Sequence, residues 1–109
     1  MNIQIFGKVK CFDTKKAERY FKERGVKFQS IDILQKGLSK GELNSVIMAV
    51  GVDLLVSQKC EEYHLFKYLT DEGKLEKLLE CPKLFNTPIV RNGKSATVGY
   101  CPDVWKKWD

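Results

Sequence analysis

Ile3-Gln4-Ile5-Phe6-Gly7-Lys8-Val9-Lys10-Cys11-Phe12-Asp13-Thr14-Lys15-Lys16-Ala17 is the stretch on which the fold turns. Ile3 and Ile5 alternate with Gln4, and Phe6-Gly7 closes the run, the pattern of a short strand ending in a glycine turn. A loop that begins at Lys8 and carries Cys11 leads into a helix from about Asp13 to Arg24. In that helix Ala17, Tyr20, Phe21 and Arg24 recur at helical spacing, and Gly25 stops it. Val26 to Ile33 reads as a second strand, with Ile31 and Ile33 flanking Asp32. Two strands joined by one helix form a β-α-β unit, which calls for a parallel pair with a right-handed crossover.

Working outward, Ser39-Lys40-Gly41-Glu42 is a capping box, and Leu38 and Leu43 stand where a hydrophobic staple would lie. Leu43, Val46, Ile47 and Val50 then form one apolar stripe, closed by Gly51. Further helices are expected from about Cys60 to Leu69 and from about Asp71 to Leu79, the latter stopped by Cys81-Pro82. Strand character returns at Pro88-Ile89-Val90-Arg91. Asn92-Gly93 reads as a type I′ turn, and Lys94 to Gly99 as the returning strand. Pro102 opens a terminal helix, with Val104, Trp105 and Trp108 expected on one face. The order β-α-β, helices, β-β, α predicts an α/β, thioredoxin-like fold with a mixed sheet. One domain is expected over residues 1–109, with a helical insertion at about 39–80 between the β-α-β half and the C-terminal hairpin-helix half.

Composition narrows the function classes. At 109 residues, with 43% apolar and 30% charged, the chain has the make-up of one globular domain. No run approaches the ~20 apolar residues that cross a bilayer, and the first residues lack the basic start and long apolar stretch of a secretion signal. No membrane association is expected. Lys and Arg total 19 against 14 Asp and Glu, a net charge of +5. Arg19, Arg24 and Arg91 are the only arginines, and the lysines are interleaved with acids. Base-edge reading favours arginine forks, so no direct nucleic-acid binding is expected. The four cysteines, Cys11, Cys60, Cys81 and Cys101, form no Cys-x-x-Cys pair. That spacing argues against a disulfide scaffold and for a reducing cytoplasm.

Cys11 is the position with the most chemistry. It follows a strand and directly precedes a helix, whose first amides are unsatisfied and carry partial positive charge. A thiolate there is stabilised, so its pKa should fall below the ~8.5 of a free thiol. Lys8, Lys10, Lys15 and Lys16 are expected to add cationic charge nearby, and the Thr14 hydroxyl to donate to the sulfur. Ala17 stands where a phosphatase-type Cys-x5-Arg loop needs its arginine, so that chemistry does not fit. Cys60 and His64 lie four residues apart but lack a second ligand pair, so no metal site is expected. Pro88 suits the first position of a strand; a cis peptide after Thr87 would turn the Thr87 backbone toward the Cys11 loop.

Two motifs add a family likeness. Phe6-Gly7-x3-Cys11-x2-Thr14-Lys15-Lys16-Ala17 resembles the opening of the glutaredoxin-like arsenate reductase family, which includes the Spx-type regulators. Leu84-Phe85-Asn86-Thr87-Pro88-Ile89-Val90 followed by Val98-Gly99-Tyr100 resembles its second block, and Gly51-x-Asp53 with Ser57 its middle. The resemblance implies a thioredoxin-like fold, a nucleophilic Cys11 and a cis-proline at Pro88. Two departures stand out. Thr87 occupies the position of a family arginine that holds the arsenate oxyanion, and Thr14 replaces the second cysteine of the Spx redox switch. Lys59 is the nearest cation in the middle stretch, and one ammonium cannot reproduce a bidentate fork. Losing a single oxyanion donor typically costs about 10²–10³ in rate.

What the resemblance implies is therefore a thiol-disulfide oxidoreductase. Cys11 is the nucleophile, Thr14 assists by hydrogen bonding, and Thr87, Pro88 and Arg91 position the substrate. Cys101 is the candidate resolving thiol. No bound cofactor is expected; glutathione enters as a co-substrate, and glutaredoxin or a protein disulfide as partner. The alternatives are an Spx-like regulator that binds RNA polymerase or another protein, and an arsenate reductase with lysines in place of arginines.

Overall fold

In the computed structural model, which describes residues 1–108, a four-stranded sheet runs in the order β2-β1-β3-β4. Asp109, the last residue of the expected domain, lies outside the described residues. β1 (Ile3–Gly7) pairs in parallel with β2 (Phe28–Asp32) and antiparallel with β3 (Ile89–Asn92), which pairs antiparallel with β4 (Ser95–Val98). α1 (Phe12–Glu23) makes the crossover between β1 and β2. It ends in a Schellman motif: Gly25 has φ +69°, Gly25 N–H donates to Lys22 O at 3.1 Å, and Val26 N–H donates to Phe21 O at 2.9 Å.

The insertion follows as α2 (Lys40–Val50), α3 (Val52–Leu55), α4 (Tyr63–Phe66), α5 (Asp71–Glu80) and a 3-10 turn at Pro82–Leu84. The capping box at Ser39 forms in both directions, with Glu42 N–H donating to Ser39 Oγ at 3.2 Å and Ser39 N–H to Glu42 Oε1 at 2.9 Å. Leu38 and Leu43, on either side of it, are buried in one core cluster. The expected helix from Cys60 to Leu69 shrinks to the four residues of α4. Cys60 belongs instead to a turn, and only Phe66 of the neighbouring apolar residues is buried, while Leu65, Tyr68 and Leu69 are exposed. A helix that buries only Phe66 has little packing to extend it.

The sheet's alternating side chains feed two cores. Ile3, Ile5 and Val90 face Ala17, Tyr20 and Phe21 of α1 and Trp105 of α6 (Pro102–Trp105). Phe6, Ile31 and Ile89 face the opposite way, with Leu43, Val46, Leu55, Phe66 and Leu78 of the insertion. Trp105 Nε1 donates to the buried Thr97 hydroxyl at 2.8 Å, so its polar edge is satisfied inside the core. Val104 does not join Trp105 as expected; it is 43% exposed. Adjacent helical residues point to different sides, whereas Trp108, three residues on from Trp105, packs on the same cluster.

The hairpin turn also sits one residue later than expected. Asn92 pairs with Ser95, so the two-residue loop is Gly93-Lys94. Gly93 has φ +60° while no residue other than glycine among those described has a positive φ. Positive φ at the first loop position alone is the type II′ pattern, not type I′.

Candidate active site

Cys11 is the N-cap of α1, with extended backbone at φ −88° and ψ 115°. Its own N–H donates to Lys8 O at 3.0 Å, which closes the turn between β1 and the helix. The thiol is half-buried and donates to Thr87 O at 3.4 Å. The Thr87-Pro88 peptide is cis, as the motif implied. The structure thus brings Cys11, Thr14, Thr87 and Pro88 together at one end of the sheet.

Partial burial opposes ionisation of the sulfur. The hydroxyls of Thr14 and Thr87, with the backbone amides of Thr14 and Asp13, outweigh it and lower the Cys11 pKa below that of an ordinary thiol. The thiol proton itself is directed at Thr87 O. The Thr14 hydroxyl is buried and has no conventional partner among the described residues. An unsatisfied buried hydroxyl beside a thiol is a donor in waiting for the thiolate. The side chain of Thr87 is the group that sequence reasoning missed; its backbone alone was expected to act.

The lysines do not play the part expected of them. The strongest influences lowering the Cys11 pKa are hydrogen bonds from Thr14, Thr87 and Asp13. Lys8 Nζ donates to Lys83 O and Phe85 O, and Lys16 lies 4.0 Å from Asp13 and 5.8 Å from the Tyr100 ring centroid. Each ammonium is engaged elsewhere, or solvated.

Arg91 is not brought to the sulfur. It pairs with Gln4 in the middle of the sheet, and its Nη1 donates to Gln4 Oε1 at 2.8 Å. It stands three residues along β3 from Pro88, about 10 Å at the usual strand rise. Lys94 is exposed in the hairpin loop. Cys101 is the N-cap of α6, and its thiol donates to Val98 O at 3.3 Å. Burial raises its pKa and the Asp13 carboxylate adds to the effect, so it is held as the neutral thiol.

Cys60 and His64 do not converge either. Cys60 Sγ donates to Glu62 Oε2 at 3.2 Å, and the His64 ring is directed at Glu61 O. Burial and the neighbouring Glu62 carboxylate push the Cys60 thiol up. Glu62, bonded to Lys83 at 2.7 Å, is held at about 2 by that ammonium and the Cys60 thiol. Among the described residues, no three His, Cys, Asp or Glu side chains cluster as metal ligands.

The chain has relatives. The ArsC family description matches residues 6–108, nearly the whole chain and both motifs. The chain belongs to the ArsC family. Among its relatives is the global transcriptional regulator Spx 2 of Oceanobacillus iheyensis, 33% identical over 94% of this chain and 80% of that protein. The arsenate reductase from Vibrio cholerae superposes with a TM-score of 0.84 at 24% identity, over 98% of this chain and 97% of that one. The glutaredoxin-like NrdH-redoxin of Escherichia coli superposes with a TM-score of 0.53 at 16% identity, over all of this chain and 96% of that one. The last two likenesses concern the fold, which is thioredoxin-like. Within the ArsC frame, this chain sets the Thr14 and Thr87 side chains beside Cys11.

Proposed function

We propose that this ArsC-family protein is a thiol-disulfide oxidoreductase with Cys11 as its nucleophile. The observation that carries this reading is the half-exposed Cys11 sulfur with the Thr14 and Thr87 side chains and two helix-start amides around it. In the reaction, the Cys11 thiolate attacks one sulfur of a disulfide. The S–S bond breaks, the other sulfur leaves as a thiolate, and Cys11 holds the first in a mixed disulfide. A glutathione thiolate then attacks the substrate sulfur of that mixed disulfide and returns Cys11 as thiolate. A second glutathione thiolate attacks the glutathione sulfur of the new mixed disulfide, releasing the substrate thiolate and leaving glutathione disulfide. Glutathione, or glutaredoxin in its place, supplies the reducing electrons, consistent with a reducing cytoplasm. Among the described residues, no helix is long and apolar enough to cross a membrane. Resolution is assigned to an external thiol; the Cys101 thiol is engaged with Val98 O.

The test is a coupled assay with a small disulfide, glutathione, glutathione reductase and NADPH. Wild-type protein is expected to consume NADPH, Cys11→Ser to lose the activity, and Cys101→Ser to keep it. Activity surviving in Cys11→Ser overturns the assignment.

A second reading is favoured by the Spx 2 likeness: a regulator that binds RNA polymerase or another protein, with the fold as scaffold. Capture of RNA polymerase by the Cys11→Ser variant, together with no disulfide reduction by wild type, would select it. Arsenate reduction is the third reading, tested by arsenate turnover with glutathione and glutaredoxin. Thr87 in the arginine position and Arg91 bonded to Gln4 leave the site without a bidentate fork at the sulfur.

A further inference from the structure

Two segments must meet for the site to exist: the loop that carries Cys11 and the chain that descends through Leu84, Phe85 and Asn86 to Thr87-Pro88. The second segment has no strand to define it until Ile89. Its backbone groups are satisfied one by one. Phe85 N–H donates to Pro82 O, Leu84 O accepts from Ser57 N–H, and Asn86 N–H donates to Leu55 O. The Asn86 side chain adds bonds to Leu54 O and Val56 O. These contacts tie the segment to the insertion, not to the Cys11 loop.

The carbonyls of Lys83 and Phe85 point the other way. Both accept from Lys8 Nζ, at 3.1 Å and 2.8 Å. Lys8 is the first residue after β1, and its own carbonyl accepts the Cys11 N–H at 3.0 Å. One residue therefore holds the Cys11 backbone with its carbonyl and the Thr87 approach with its ammonium, across 75 and 77 residues of chain. Hydrogen bonds from a charged donor are among the stronger ones. A thiol pKa set by hydroxyl contacts depends on where those hydroxyls stand, and contacts of this kind weaken steeply with displacement.

We propose that Lys8 is a positioning residue, whose ammonium clasps the Lys83 and Phe85 carbonyls and so fixes Thr87 against the Cys11 sulfur. The ammonium acts through Thr87, not through its own charge on the thiolate; it faces the carbonyl oxygens of Lys83 and Phe85. The inference rests on Cys11 being the nucleophile of the proposed function.

The test reads the pH dependence of Cys11 alkylation by iodoacetamide, followed by mass spectrometry of the Cys11 peptide. Lys8→Met is expected to move the inflection to higher pH, and Lys8→Arg, which keeps a cationic donor, to restore part of the shift. In a Thr87→Val background, Lys8→Met should add nothing, because the hydroxyl it positions is gone. The shift should persist in ~1 M salt, where a bare charge effect is screened within ~3 Å. Circular dichroism confirms the fold, and Lys8→Gln carries the same expectations should the methionine variant lose it. An unmoved inflection, a full shift in the Thr87→Val background, or a shift that salt abolishes overturns the clasp. Wild-type Cys11 titrating as a free thiol would instead overturn the nucleophile reading itself.

Discussion

Gly7 and Thr14 are packed so closely that a β-carbon on Gly7 would lie 2.1 Å from Thr14 Cγ2 and 2.6 Å from its Oγ1. No real side chain tolerates that approach, and a β-branched threonine has little freedom to swing away. Gly7 is thus the reason Thr14 can bury its hydroxyl beside the end of β1. Its role is steric; it is not among the glycines of positive φ.

Gly7→Ala is expected to cost about 1–3 kcal/mol as an overpacking change, and to raise the Cys11 pKa by displacing Thr14. Adding Thr14→Ala should restore much of the lost stability by removing the clashing atoms, while the Cys11 pKa stays high. Urea unfolding and alkylation titrations of the two variants separate the effects.

Removing the Thr14 hydroxyl alone should divide function from stability. Thr14→Val keeps the shape and deletes an oxygen that is buried without a conventional partner. Desolvating such a group costs roughly 1–3 kcal/mol, so the variant should be as stable as wild type or more so. Its Cys11 pKa should rise, since that hydroxyl is one of the groups lowering it. A thermal melt paired with an alkylation profile checks both.

Cys11 and Cys101 should give opposite pH signatures in stability. The Cys11 pKa is lower in the folded protein, so its contribution is present above the unfolded value of ~8.5 and is lost as pH falls through the folded value. The stability difference between wild type and Cys11→Ala should therefore grow as pH rises across that window. The Cys101 pKa is raised, so its contribution is complete below the unfolded value and lost as pH climbs through the folded one. Urea titrations of Cys11→Ala and Cys101→Ala across neutral to alkaline pH are the measurement.

Trp105→Phe tests the core on the α1 side of the sheet. It deletes the indole donor and leaves the buried Thr97 hydroxyl without that bond. A loss of about 1–3 kcal/mol is expected for the orphaned group. The double variant Trp105→Phe with Thr97→Val should recover part of it, as measured by chemical unfolding.

Much of the site was legible from local pattern. Strand, glycine, loop, cysteine and helix start are contiguous, so the position of Cys11 as an N-cap could be read from about ten neighbouring residues. The same holds for the Ser39 capping box and for Thr87-Pro88 at the start of β3. Arg91 could not be placed this way. Strand alternation assigns it to a sheet face, but its partner, Gln4, lies 87 residues away and is chosen by the register of β1 against β3. Lys8 misled for the same reason. Its nearness to Cys11 in sequence suggested charge on the sulfur, while its ammonium is spent on carbonyls 75 and 77 residues distant.

Alone, the chain determined the order of its strands, the limits of α1, α2 and α5 to within a residue or so, and the residue types at Cys11, Thr14 and Thr87, because periodicity, caps and turns act over a few neighbours. Tertiary structure decided which hydroxyls reach the sulfur, which lysine is a clasp, and which cysteines stay neutral. Those outcomes depend on the burial and hydrogen-bond partners that a side chain meets, and these exist only once β1, β3 and the segment before Pro88 have come together.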